Sequence, residues 1–222
     1  MVLVGYGIAA FLPPLLLRRF HLPLGEVGLI AGTVSGIGGG IGTMIGGLAG
    51  DRWGAGQPRR LALIAALAAF VSAPLLIGGI LSTSLAGLVC GTFLGTLSVY
   101  AYVAPAFAQV HDFATARSRA TVTSIFYLVT NLVGLGLGPP LIGAISDRSA
   151  QMSLALDSNA FRSLCFKASS LQHAVCANAI ADGLANALVV ISVLPLLAAM
   201  HFFFASYQYE PAKILLAAPQ AH

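Results

Sequence analysis

Six long apolar runs, at residues 2–17, 25–50, 61–81, 85–110, 120–146 and 180–207, constrain this chain more than any other feature. A helix crossing a bilayer needs about 20 apolar residues. The backbone in lipid must satisfy its own hydrogen bonds, so only helices and closed barrels can cross. Barrel strands alternate apolar and polar residues, whereas these runs are continuous. The prediction is an all-α membrane protein with six transmembrane helices in one domain over residues 1–222 and a long loop at 147–179. Composition agrees. Of 222 residues, 58% are hydrophobic and 8% charged, against about 25% charged in soluble domains.

The first run is short, as though the chain entered a helix partway along, and Met1 leads into it without a basic leader or cleavage site. The 147–179 stretch is polar and has room for a short surface helix near residues 154–166. Six spans put both termini on one side of a multi-pass protein of the cell inner membrane. That side would carry six basic residues, Arg52, Arg59, Arg60, Arg117, Arg119 and Lys213, against five opposite, Arg18, Arg19, Arg148, Arg162 and Lys167. The positive-inside rule therefore favours cytoplasmic termini by a narrow margin. With a net charge of +4, the basic residues suit lipid headgroups, and no nucleic-acid partner is expected. Cys90 reads as a small buried hydrophobe in an apolar run. Cys165 and Cys176 share a polar stretch and can form a disulfide only on an oxidising side. With His173 between them they make a poor zinc site, so neither metal nor cofactor is expected.

Laying Asp51 over Asp147, a shift of 96 residues, aligns "GGGIGTMIGGLAGDR" with "GLGLGPPLIGAISDR". Gly38, Gly40, Gly42 and Gly47 fall on Gly134, Gly136, Gly138 and Gly143, and both stretches end in Asp-Arg. They close the second and fifth helices, which run in opposite directions because three spans separate them. An inverted repeat of three plus three helices has this arrangement; two unrelated close-packing helices are the plainer alternative. Between helices in lipid, attraction comes from close packing, and small residues let backbones approach. Gly42, Gly46 and Gly50 form such a stripe, as do Gly134, Gly138 and Gly143. Asp51 stands at a helix carboxyl end, where the macrodipole disfavours an anion. A partner is expected for it, either Arg52, Arg59, Arg60 or the amino end of another helix.

"GGLAGDRWGAGQPRR" resembles the signature of the major facilitator superfamily, carried here by Gly47, Asp51, Arg52, Gly54, Arg59 and Arg60. It departs by inserting "AGQP" before the paired arginines, so the family role passes more directly to Asp51 than to them. "RSRATVTSIFYLVTNLVGLGLGPPLIGAISD", Arg117–Asp147, is similar to the eleventh helix of that superfamily, particularly in its spinster-like and related branches. The resemblance implies a carboxy-terminal six-helix half, helices seven to twelve of twelve. It also implies a cytoplasmic gate latch at the Asp51 loop, closing on the other half. That partner would be another chain, an absent amino-terminal part or a second copy in a homodimer. The first and fourth helices would line a path for a small-molecule substrate, flanked by the second and fifth. Their polar candidates are Tyr6, Thr92, Thr96, Tyr100 and Tyr102, with Thr33, Ser35, Tyr127 and Asn131 on the flanking helices. Each fits a helix-to-helix hydrogen bond equally well.

No acid falls at mid-membrane, where an ionisable group is costly and usually functional. Glu26 reads as interfacial, and His201 as packing near the interface. Pro13-Pro14, Pro105 and Pro139-Pro140 interrupt helices that either bend or move. No catalytic residues are expected, since nucleophile elbow, zinc-protease and phosphate-loop patterns are all absent. The sequence thus points to half of a secondary transporter for a small organic or amphiphilic solute. A membrane scaffold without transport and an inactive truncated product are the alternatives.

Overall fold

The computed structural model describes residues 1–112, 114–115, 117–166 and 170–217; the side chains of residues 162, 166, 170–174 and 209–217 are outside that description. Lys167 and the side chains of Arg162, His173 and Lys213, all weighed above, lie outside the described residues. The spans are α1 (Val2–Phe20), α2 (Leu24–Gly54), α3 (Pro58–Leu81), α4 (Leu85–Asp112) and α5 (Arg119–Ser153). A short helix α6 (Ser158–Phe166) precedes the sixth span, α7, which is built from Ser170–Ile191 and Leu194–Ala217 around a turn at 192–193. No strand occurs among the described residues. The chain is a multi-pass membrane protein of six spanning helices.

Glycines set how closely these helices cross. A Cβ at Gly42 or Gly46 of α2 would overlap the backbone of Leu97 or Ala101 on α4. A Cβ at Gly79 of α3 would come within 2.8 Å of the Gly91 Cα. Gly134 of α5 faces Val2 and Tyr6 of α1, and Gly138 faces Leu3 at ordinary contact distance. Gly50 meets only the tip of Leu61, 3.4 Å away. Gly143 does not join the expected packing stripe, for nothing lies within 4 Å of the position its Cβ would take.

The α2–α4 contact and the α5–α1 contact are counterparts. Exchanging the first three spans with the last three turns one into the other, as an inverted repeat demands. Direction agrees. Gly134 meets Val2 and Tyr6 while Ile142 approaches Gly7, so α5 runs parallel to α1. At the far end of α1, the Arg19 Nη1 donates to the Ile80 carbonyl, 2.7 Å away, at the far end of α3. Asp51 instead shares a crevice with Asp112 at the end of α4. Asp51 and Asp147 therefore occupy opposite ends of the bundle.

Three stretches widen into π-helical turns: Thr33–Gly38, Gly50–Gly54 and Leu132–Leu137. Shifted by 96 residues, the first covers 129–134 and overlaps the third. Such turns are rare and leave part of the hydrogen-bond ladder looser. α1 continues through Pro13 and Pro14, whereas α4 breaks at Tyr102, three residues before Pro105, and resumes at Val103.

Two expectations are corrected here. The 147–179 stretch is largely helical, because α5 runs to Ser153, α6 occupies Ser158–Phe166 and α7 begins at Ser170. Asp157 starts α6 by accepting a 2.7 Å bond from the Ala160 amide, and the Cys165–Cys176 disulfide ties α6 to α7. Phe161 and Ala150 are buried against that tie. Cys90, expected to be buried, is exposed on α4. In a bilayer the outside of a helix is as apolar as its inside, so an apolar run does not reveal which way a cysteine faces.

Candidate functional site

Four helices, α1, α2, α4 and α5, enclose a cavity of about 310 Å³. Gly5 and Tyr6 line it from α1, Thr43 from α2, Tyr100, Tyr102 and Phe107 from α4, and Phe126, Tyr127, Thr130 and Asn131 from α5. Among the described residues, none from α3 or α7 contributes. Of the seven path residues read from the sequence, Tyr6, Tyr100, Tyr102, Tyr127 and Asn131 meet here. Thr92 and Thr96 do not. Both lie on α4 short of Val99, where the cavity wall begins. Thr92 turns its hydroxyl back to the Leu88 carbonyl at 2.6 Å, and the Thr96 hydroxyl is buried without a partner. Thr33 and Ser35 sit in the first π-helical turn, away from the cavity.

The wall is mostly apolar, with hydroxyls at intervals. The Tyr6 hydroxyl donates to Asn131 Oδ1 at 2.6 Å, while Asn131 Nδ2 donates to the Tyr127 carbonyl at 2.8 Å. Both ends of that amide are engaged, so it holds α5 against α1 in a fixed orientation. Thr43 and Thr130 bond back to their own helices, at 3.0 Å to Gly39 and 2.8 Å to Phe126. The hydroxyls of Tyr100, Tyr102 and Tyr127 have no hydrogen-bond partner among the described residues. The Tyr100 ring packs against Gly5 of α1 and Gly39 of α2, where an added Cβ would come within about 3.3–3.4 Å of it. Phe107 stacks edge-on to Phe126, with centroids 4.9 Å apart, and lies 4.7 Å from Tyr127. A cavity with aromatic walls and a few hydroxyl donors suits an uncharged or amphiphilic organic molecule.

Phe107, Phe126, Thr43 and Thr130 escaped the sequence reading. Phe107 and Phe126 are ordinary core residues by composition, and only the crossing of α4 and α5 turns them inward. His111 escaped too; its Nε2 lies 2.8 Å from Thr123 Oγ1, joining the end of α4 to the start of α5.

The second candidate site is the Asp51 loop. Asp51 is exposed and lines a crevice of about 190 Å³ with Gly46, Gly47, Gly54, Pro105 and Asp112. The expected partner is not found among the described residues, for no hydrogen bond or ion pair joins Asp51 to Arg52, Arg59, Arg60 or any other of them. Arg60 Nη1 reaches the Trp53 carbonyl at 3.4 Å, and Arg59 lies over the Tyr207 ring. Gly54 packs on Leu61, and Gly47 is 3.7 Å from the Ala104 Cβ.

The spans flanking the cavity are the least enclosed. Only 22% of the apolar window of α2 and 17% of that of α5 is buried, against 44% for α3. On α5, Leu128 and Leu132 are about two-thirds exposed, at 66% and 67%.

A six-helix bundle with an internal inverted repeat and a cavity flanked by its two least buried spans defines half of a two-bundle membrane transporter fold. The chain belongs to the Major Facilitator Superfamily, whose family model matches residues 1–157. It is 28% identical over 145 residues to an MFS-type efflux pump of Mycolicibacterium smegmatis (strain ATCC 700084 / mc(2)155), a match covering 64% of this chain and 33% of the pump. Its fold is similar to crystal structures of a bacterial homolog of the human lysosomal transporter Spinster, solved in inward-facing unoccupied and occupied conformations. The TM-scores are 0.77 and 0.76, at 24% and 23% identity. Each likeness covers 93% of this chain but only 45% and 46% of the Spinster homolog. The chain thus spans under half the length of the relatives it matches.

Proposed function

We propose that this chain is the carboxy-terminal half of a secondary active transporter that moves a small organic or amphiphilic solute by alternating access. The observation that carries the reading is the placement of the cavity between α1, α2, α4 and α5. It lies on the face bounded by the two least buried spans. A second six-helix bundle against that face would bury the open sides of α2 and α5 and close the cavity into a central path. Rocking of the two bundles would then expose the path to each side in turn. The three unpaired tyrosine hydroxyls would orient the solute, and the Phe107, Phe126 and Tyr127 rings would take its apolar part. Efflux by the mycobacterial relative is in keeping with an amphiphilic cargo.

The orientation we infer puts the Asp51 end, with both termini, in the cytoplasm. The narrow excess of basic residues supports it, as does the Cys165–Cys176 disulfide at the opposite end. Disulfides persist in oxidising compartments. At the cytoplasmic end, Asp51 and Asp112 would receive a cation from the partner bundle when the gate closes.

The test is reconstitution in proteoliposomes of the chain alone and of the chain assembled with an amino-terminal six-helix half. Uptake of a panel of amphiphilic dyes is followed under an imposed proton or sodium gradient. Gradient-driven transport is expected only from the assembly, and it should fall when Tyr127→Ala or Asn131→Ala is introduced. An assembly shown to form that carries nothing, or one indifferent to both substitutions, contradicts the reading.

A further inference from the structure

Among the described residues, the Thr96 hydroxyl is the one side-chain polar group that the bundle buries without a hydrogen-bond partner. Thr96 is 2% exposed, near the middle of α4. Threonine hydroxyls within a helix commonly bond back to the carbonyl four residues earlier. Thr92, one turn away, does so to Leu88 at 2.6 Å, and Thr43 and Thr130 do so on neighbouring spans. An unpaired buried hydroxyl disfavours the arrangement that buries it by a factor of roughly 5 to 150.

Its place on the helix gives that penalty a direction. Positions 92, 96, 99 and 103 lie along one stripe of α4, and Val99 and Val103 line the cavity. Thr96 is the next position on that stripe, roughly 5 Å beyond Val99 and away from the Asp112 end. Tyr100 packs against Gly5 of the antiparallel α1, so Ile8 and Leu12 fall near the height of Thr96. Both are buried in the same core cluster as Val99. Directly after them come Pro13 and Pro14, inside α1. Neither has an amide proton, so the carbonyls of Ala9 and Ala10 lose their donors in the helical ladder. α1 is loosened at the height where α4 carries the unsatisfied hydroxyl.

We propose that Thr96 lies on the continuation of the solute path beyond the cavity, and that bending of α1 at Pro13-Pro14 uncovers it. The inference rests on the reading of the cavity as a solute path. With α1 straight, the seam between α1 and α4 is closed and the buried hydroxyl works against the closure. Once α1 bends, the hydroxyl meets water or the solute and the penalty is relieved. Threonine thereby keeps the closed and open arrangements near in free energy, where a valine of the same shape would favour closure.

The test uses the full chain and needs no partner bundle. In detergent, Thr96→Val should raise the thermal midpoint by about 2 °C or more. Thr92→Val, which removes a paired hydroxyl, should not raise it. Accessibility is then read in vesicles with a water-soluble methanethiosulfonate, on a Cys90→Ser background in which Cys165 and Cys176 are already joined. The thiol of Thr96→Cys should react at least about fivefold faster than that of Ser72→Cys. Ser72 is just as buried, but it lies on α3 away from the cavity wall. Pro13→Ala with Pro14→Ala should slow the reaction at position 96 severalfold and leave position 72 unchanged. A lower midpoint for Thr96→Val, equal reaction at positions 96 and 72, or indifference to the proline pair overturns the proposal. Failure of the assembly to transport, with this opening intact, strikes the solute reading and leaves the hinge. Transport with position 96 covered throughout strikes the hinge alone.

Discussion

Tyr6 and Asn131 are 125 positions apart in sequence and 2.6 Å apart in space, with the tyrosine hydroxyl donating to the amide oxygen across the α1–α5 contact. This bond joins an early helix of one repeat to the middle helix of the other, at the wall of the cavity. Because Asn131 also donates to the Tyr127 carbonyl, it fixes the side-chain amide whose helix presents Tyr127 to the same space.

Removing the tyrosine donor should therefore cost little stability and more activity. Hydrogen bonds between helices in membranes are worth about 0.6 kcal/mol on average, with a maximum near 1.7. Tyr6→Phe should lower unfolding free energy by an amount in that range, measured by denaturant titration in mixed micelles. A double-mutant cycle with Asn131→Leu should return a coupling of similar size. In the assembled transporter, the same substitution should reduce transport severalfold at unchanged expression.

The helix crossing at Gly46 is less forgiving. A Cβ there overlaps the Ala101 carbonyl, so Gly46→Ala must push α2 and α4 apart. Overpacking of this kind costs about 1–3 kcal/mol. Thermal unfolding in detergent should shift down clearly for Gly46→Ala and further for Gly46→Leu. Gly143→Ala, at a position with open space around it, should leave the midpoint near that of the parent.

The cysteines divide into two classes that chemistry can count. With Cys165 and Cys176 joined and Cys90 free and exposed, a lipid-permeant maleimide should add one label before reduction and three after, read as mass shifts. In the chain-entropy picture, closing a loop of about this length stabilises by ~3 kcal/mol. Cys165→Ser should lower stability on that scale, and Cys90→Ser should not.

Asp51 separates stability from gating. It has no partner among the described residues and is exposed. Asp51→Asn should thus change the unfolding free energy of this chain by no more than about 0.5 kcal/mol. In the assembled transporter it should slow transport strongly. A large loss of stability in the chain alone would show that the aspartate is held internally.

Periodicity and composition were sufficient for the number of spans, their order and the repeat, because lipid imposes a length and an apolarity that can be read residue by residue. The glycine and Asp-Arg pattern also carried the kinship, since a close backbone approach admits no side chain and leaves its mark at fixed positions. Five of the seven path candidates line one cavity; they were legible as candidates because polar groups on otherwise apolar helices stand out. Thr92 and Thr96 looked identical in that respect, yet where the cavity wall begins depends on the height at which four helices cross. The facing of Cys90, the running-on of α5 to Ser153 and the start of α7 at Ser170, and the aromatic lining from Phe107 and Phe126 were decided only in three dimensions. In a bilayer, inside and outside are equally apolar, so hydropathy locates a helix in the membrane but cannot say which side it turns to its neighbours. That choice belongs to packing: which glycines meet which backbones, and where the helices part to leave space.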